Sequence, residues 1–243
     1  MFIGHYGVAF ALNRASPQTS LGLLFLATTI ADVLLYVLYL FGVERVVIAP
    51  ATTASVPISF QHIPFSHGLA ATLLLGAATF AVVLLWSRAE RRVRLAAAGA
   101  LAFGVVSHWL LDLLVHAPDM PLLFESGGYG LRLYDHPLLT HAVEIGLLFG
   151  GLAVYLRSLG LRGPRGLAGP IGLGALLVVL QLVLRRGAIP VSLEAVAIQS
   201  VAGLFAIAGM AAVVDGRARR SQVPTPESLG AAGADATEGP ERL

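Results

Sequence analysis

The chain has 243 residues, of which 56% are hydrophobic and only 12% charged, whereas a soluble globular domain carries about 25% charged residues. A water-soluble fold is excluded. Cysteine is absent, which rules out disulfides, thiolate metal sites, iron–sulfur clusters and cysteine nucleophiles, so any metal must be held by nitrogen and oxygen. The 16 basic residues, all arginine, against 14 acids leave a net charge of +2, too small an excess to indicate nucleic acid as a partner.

Met1 to Leu12 is too short to span a bilayer and has no basic residue ahead of its apolar run, so it reads as a short interfacial or re-entrant helix and not as a secretory signal. Six apolar stretches follow, roughly Leu21–Phe41, His67–Trp86, Leu95–Val115, Pro137–Leu156, Gly169–Leu184 and Glu194–Val214. About 20 residues of helix cross a hydrocarbon core of about 30 Å, and none of the stretches alternates polar with apolar as a membrane barrel strand would. The fifth is short and glycine-rich. The expected fold is all-α, a polytopic membrane helix bundle with about six transmembrane helices and a short amino-terminal helix. Residues 1–215 form one transmembrane domain, and the arginine-rich, then Gly/Ala/Pro/Ser-rich and acidic segment 216–243 is expected to be a disordered cytoplasmic tail.

Arginine placement gives an orientation. Arg14, Arg88, Arg91, Arg92, Arg94, Arg157, Arg162, Arg165, Arg217, Arg219 and Arg220 fall on one side of the six spans, against Arg45, Arg132, Arg185 and Arg186 on the other. The positive-inside rule then puts both termini in the cytoplasm.

All seven histidines lie in the first 141 residues, which divides the chain into a polar half, 1–157, and a scaffold half, 158–215. The latter offers only Gln181 and Gln199 as interior polar groups, expected to make interhelical hydrogen bonds. In the third span His108, Asp112 and His116 recur every four residues and fall within an arc of about 80° on one helical face. Ligands one turn apart can converge on an ion; the alternative is a His–Asp hydrogen bond tying helices together. Asp32 lies near the midpoint of the first span, and His62 and His67 precede or open the second, with Pro64 between them and Ser66 as the expected cap. In the fourth span His141 and Glu144 can share a face, while Asp135 and His136 read as solvated loop residues. Four spans thus deliver ionisable groups to one outer layer. Each uncompensated charge at the bilayer centre costs at least about 2.5–3.5 kcal/mol, so Asp32, Asp112 and Glu144 need partners, protons or a cation. Glu144 is the candidate general base, with a structural hydrogen bond as the alternative. His5 falls on the cytoplasmic side by the arginine count, which leaves its part in the site open.

At these positions the chain resembles a family of bacterial inner-membrane proteins described as LexA-regulated or membrane-bound metal-dependent hydrolases. The motifs that carry the resemblance are Gly4-His5, Ala31-Asp32, His62-Ile63-Pro64-Phe65-Ser66-His67, Gly104-Val105-Val106-Ser107-His108-Trp109-Leu110-Leu111-Asp112 and Met120-Pro121-Leu122-Leu123. They cover about residues 1–124, and Val33-Leu34-Leu35 stands where the family has a second aspartate and a histidine. A fainter similarity in ligand order, to zinc-dependent phospholipase C and its nuclease relatives, suggests phosphoester substrates. The resemblance implies an inner-membrane, metal-dependent hydrolase. Asp32, His67, His108 and Asp112 would bind a divalent ion, zinc or else manganese, with His62 and His116 completing or orienting the shell and a lipid or other amphiphile as the substrate. Two other readings share the same residues: a proton- or cation-handling transporter, and a non-catalytic structural or stress-linked membrane protein.

Overall fold

The computed structural model describes residues 1–50, 52–125, 127–160, 163–184, 189 and 191–221. Among them are seven α-helices: α1 (Ile3–Leu12), α2 (Leu21–Leu40), α3 (Leu69–Trp86), α4 (Arg91–Val115), α5 (Pro137–Ser158), α6 (Gly163–Leu184) and α7 (Leu193–Arg220). All but α1 are long and apolar enough to cross a membrane. The protein is a multi-pass helical membrane protein. The hairpin of β1 (Arg45–Ile48) and β2 (Ile58–His62) is an addition to the all-helical expectation. Its β-branched run Val46-Val47-Ile48 pairs antiparallel with Ile58, Ser59 and Phe60.

Helix ends follow local chemistry. Ser20 accepts from the Gly22 amide at the start of α2, and Ser192 accepts from the Ala195 amide at the start of α7, each relieving one of the four unpaired donors of a first turn. Pro137 opens α5 at a position where its missing N–H is not needed. α7 continues through Gly216 to Arg220, so the first residues of the expected tail are helical; the rest of that tail lies outside the described residues.

The core forms where α1, α2, α4, α5, α6 and α7 meet, around Tyr6, Phe10, Phe25, Leu148, Tyr155, Leu177 and Ala211. α3 packs on α4 and buries only Thr72 and Gly76, leaving the rest of its apolar surface for lipid. α1 is the unusual element. Ten residues at about 1.5 Å each give about 15 Å, half the thickness of a hydrocarbon core, yet seven of the ten are buried and none is exposed. Close approach to α5 admits it: a Cβ on Gly7 would strike the Leu147 carbonyl, and one on Gly151 would strike the backbone of Gly7. Small residues are what allow helix backbones to meet in a membrane.

A knot of polar groups fastens the end of the bundle away from the Met1 end of α1. The Asp215 carboxylate accepts from the Leu21 amide at 3.2 Å, the Tyr155 hydroxyl at 2.7 Å and Arg219 Nε at 2.7 Å. Arg219 also reaches Asn13 Oδ1 and the Pro17 carbonyl. Gln181, expected to bridge helices, is fully buried with neither amide atom partnered among the described residues.

Candidate metal centre

Asp32 of α2, His108 and Asp112 of α4, and His67, just ahead of α3, offer four ligand atoms that all lie within 4.8 Å of one another. His67 Nε2 stands 3.3 Å from His108 Nε2, 3.4 Å from Asp112 Oδ2 and 3.6 Å from Asp32 Oδ1. His108 Nε2 stands 3.2 Å from Asp112 Oδ2 and 3.7 Å from Asp32 Oδ1. Donors at about 2.0–2.2 Å from one tetrahedral ion are separated by about 3.3–3.6 Å, and these five separations, 3.2 to 3.7 Å, lie within about 0.1 Å of that range. His67, His108 and Asp112 are buried, while the Asp32 side chain keeps 23% exposure.

The imidazoles are held in one sense. His108 Nδ1 donates to the Thr28 carbonyl at 2.8 Å, which turns its Nε2 toward the centre. Ser66 Oγ donates to Glu44 Oε2 at 2.6 Å and, its proton so engaged, accepts from His67 Nδ1 at 2.8 Å. Glu44, itself buried, is held by the Phe65 and Ser66 amides at 2.9 and 2.8 Å. Outer partners of this kind fix the tautomer and orientation of metal-ligating histidines. With both Nδ1 atoms engaged, two Nε2 atoms and the oxygens of two carboxylates converge on one small volume that needs positive charge. A buried group of two aspartates and two histidines that can bind a metal ion is thus present.

In the absence of metal a proton supplies that charge. Burial alone would push the His67 imidazole down, but the Asp112 and Asp32 carboxylates beside it outweigh burial and raise it to about 9.

Ser66 does not cap a helix as the sequence suggested. α3 begins two residues after His67, at Leu69, and its N-cap is Gly68 with no side-chain bond. The first amides of α3 go instead to the Pro121 and Leu122 carbonyls, at 3.1 and 2.9 Å. The Met120-Pro121-Leu122-Leu123 segment therefore docks against the start of α3 and fixes where His67 sits. Trp109 Nε1 donates to the same Pro121 carbonyl. Gly68 permits this approach, because a Cβ there would meet the Pro64 and Leu123 carbonyls.

The other sequence candidates divide. His116, the C-cap of α4, is buried with Nδ1 bonded to Asp119 at 2.9 Å and Nε2 3.4 Å from Asp112 Oδ2. Burial would push His116 down, but Asp112 and Asp119 hold it above its ordinary value. It flanks the four-donor group through Asp112. His62 ends β2 opposite Arg45, its ring edge-on to Phe65 and outside the four-donor group. His141 bonds the Pro137 carbonyl of its own helix at 2.6 Å, and Asp135 pairs with Arg132. Glu144 is fully buried, and its Oε2 accepts from the amides of Phe2 and Gly4 at 2.7 and 3.3 Å. It serves α1 as a cap lent by α5, stabilising the otherwise unpaired amides of an inserted half-helix.

His5, left open by the sequence, enters the centre because α1 inserts. Its ring stacks on His108 with centroids 4.1 Å apart, and Nε2 lies 3.1 Å from Asp112 Oδ1. The Met1 amine also meets Asp112 Oδ1. One carboxylate therefore faces the donor group through Oδ2 and α1 through Oδ1. Glu44 and Asp119 had no sequence signal of their own. Each is recognisable only once the imidazole it serves has been placed.

Asp32, His67, Asp112 and His116 also line a cavity of about 470 Å³ whose other walls come from Met1 and Phe2, Tyr134, α2, α6, α7 and the hairpin with its loop. No family model, curated protein or solved structure matches the chain.

Proposed function

We propose that this protein is a membrane-embedded, metal-dependent hydrolase of the bacterial inner membrane, acting on a phosphoester or lipid-like substrate and related to the membrane-bound metal-dependent hydrolases that its motifs resemble. The observation that carries the reading is the tetrahedral spacing of Asp32, His67, His108 and Asp112 beside a cavity large enough for a small-molecule ligand, a class that occupies about 300–1,000 Å³. Nitrogen and oxygen donors at these separations suit zinc. With His67, His108 and Asp112 as ligands and the partly exposed Asp32 giving up its position, a zinc ion held there would lower the pKa of a water to about 7 and polarise a phosphoryl or carbonyl oxygen. His67 and His108 present their Nε2 atoms to the centre, and Asp112 joins it to His116 and His5. Asp32, the one partly exposed member, stands where a substrate reaching through the cavity would meet the centre. The arginine distribution favours the carboxy-terminal end of the bundle on the cytoplasmic side, and the centre, together with the Met1 amine that meets Asp112, then lies in the opposite half of the bilayer, so the amino end is not on the arginine side as the sequence count expected.

Metal analysis of the purified protein beside Asp112→Ala and His108→Ala tests this. About one zinc per chain, lost in both variants, together with zinc-dependent release of product from a generic phosphoester or ester, is the expected result. Zinc retained by both variants would refute the site. A second reading, a structural zinc in a non-catalytic protein, is favoured by one observation: four protein donors close a tetrahedral shell, and closed shells are usual in structural sites. Stoichiometric zinc with no hydrolysis of any ester or phosphoester would select it.

A further inference from the structure

The cavity beside the centre is unequal in its walls. Its ionisable groups Asp32, His67, Asp112 and His116 gather at one end, whereas the α6 and α7 side presents Leu180, Leu184, Leu204 and Ile207, with Gln199 and Ser200 of α7 as its polar members. Its rim is open to the outside of the bundle, because Leu184 of α6 is 66% exposed while lining it, and Gln199 of α7 is exposed as well. From Val196 to Ile207 the lining runs eleven residues along α7, a depth of about 16 Å at 1.5 Å per residue. That is half of a hydrocarbon core of about 30 Å, the thickness of one leaflet. Gly203 faces this space and leaves it clear, since a Cβ added there would meet nothing within 4 Å. Both helices are apolar and open on their other surfaces, with Val179 and Val183 of α6 and Ile198 and Phe205 of α7 at least half exposed.

We propose that the cavity takes one acyl chain of a membrane lipid, which enters sideways between α6 and α7 from the surrounding leaflet and brings the polar end of the lipid beside Asp32 and Asp112. This rests on the hydrolase reading for its purpose and names the substrate class as a lipid with a membrane-length chain. It gives the carboxy-terminal helices, a scaffold on sequence grounds, the task of chain selection. The depth of one leaflet, the leucine and isoleucine wall and the ionisable end match the chain and headgroup of a lipid. A soluble phosphoester would leave the Leu180–Ile207 wall without a counterpart.

The test uses the full chain in phosphatidylcholine nanodiscs containing phosphatidylethanolamine with a diazirine near the end of one acyl chain. After photolysis, peptide mapping locates the adducts, and zinc content is measured on the same samples. Adducts on Leu204 and Ile207 inside the cavity, in addition to those on Ile198 and Phe205, are expected. In Gly203→Trp the inner adducts should fall at least fivefold while the outer ones and the zinc content stay. Adducts confined to the outer residues in the wild type, with zinc bound, overturn the chain site and leave the hydrolase reading standing. Inner adducts in a protein that binds no zinc uphold the chain site and overturn the metal reading. Inner adducts unchanged by Gly203→Trp would place the chain elsewhere and overturn the proposal.

Discussion

Removing the Ser66 hydroxyl is the most informative single change, because it leaves every proposed ligand in place. In Ser66→Ala the 2.6 Å bond to Glu44 and the 2.8 Å bond from His67 Nδ1 are both lost. Glu44 keeps its bonds from the Phe65 and Ser66 amides, so it stays in place as a buried carboxylate short of one donor. His67 loses the acceptor that keeps its proton on Nδ1, and its Nε2 is no longer held as the lone-pair donor 3.3–3.6 Å from three other ligand atoms. Loss of an outer partner of this kind typically costs about 10–100-fold in metal affinity, which is about 1.4–2.8 kcal/mol. Zinc Kd measured by competition against a fluorescent chelator should rise by that factor. Ser66→Thr, which keeps the hydroxyl, should recover most of the loss. A Kd within threefold of the wild type in Ser66→Ala would refute the view that Glu44 and Ser66 orient His67 for a metal.

Zinc binding should release a proton at neutral pH, because His67 is pushed up to about 9 and zinc takes only the neutral imidazole. The sign follows from competition: below pH 9 the proton occupies Nε2 and apparent zinc affinity falls as pH falls, by about tenfold per unit. Titration calorimetry at pH 7 in buffers of different ionisation enthalpy should register about one proton released per zinc, and zero release would contradict it. Asp215→Ala should destabilise the bundle without touching the centre. Breaking a fully buried ion pair costs about 3–5 kcal/mol, and with Arg219 still 31% exposed roughly half of that is expected. Thermal denaturation in detergent reads the loss, and unchanged zinc stoichiometry separates the two ends of the molecule. Gly151→Ala should force α1 from α5, because its Cβ would strike backbone that cannot yield cheaply. Overpacking of this kind costs about 1–3 kcal/mol, and a denaturation temperature equal to that of the wild type would show that the two backbones are not in contact.

The spans and the His-x-x-x-Asp face of α4 were legible because both are local. Hydropathy over about 20 residues reports length against bilayer thickness, and residues four apart on a helix must share a face. His108 Nε2 and Asp112 Oδ2, one turn apart on that face, stand 3.2 Å apart. What could not be read was long-range. The insertion of α1 depends on Gly7 fitting against Gly151, and without it His5 belongs to the arginine side and Glu144 to an empty wall. The role of Ser66 was misread because a serine one residue before a histidine at a helix start also has the pattern of a cap. The Pro121 and Leu122 carbonyls, more than 50 residues away, took the amides that such a cap would have served. Gln181 was assigned a hydrogen bond on the rule that buried amides find partners, and the bundle gives it none among the described residues.

The two polar ends of the bundle answer the same electrostatic problem differently, and the difference bears on function. Asp215 is neutralised by an arginine, which is charged at any accessible pH, and its two oxygens are filled by Tyr155, Leu21 and Arg219. That arrangement has no empty coordination and nothing to exchange. At the other end Asp32 and Asp112 meet only imidazoles and an amine among their ion-pair partners in the described residues. An imidazole, unlike a guanidinium, can yield its proton to a competing metal ion and, once neutral, becomes a donor to it. A bundle that needed only to hold its helices together has, in Asp215 and Arg219, a ready solution. Placing exchangeable groups at tetrahedral spacing, oriented by Glu44, Ser66 and the Thr28 carbonyl, adds nothing to packing that an arginine would not supply. It makes sense as a place for a cation that arrives after folding and faces the cavity between α2, α6 and α7.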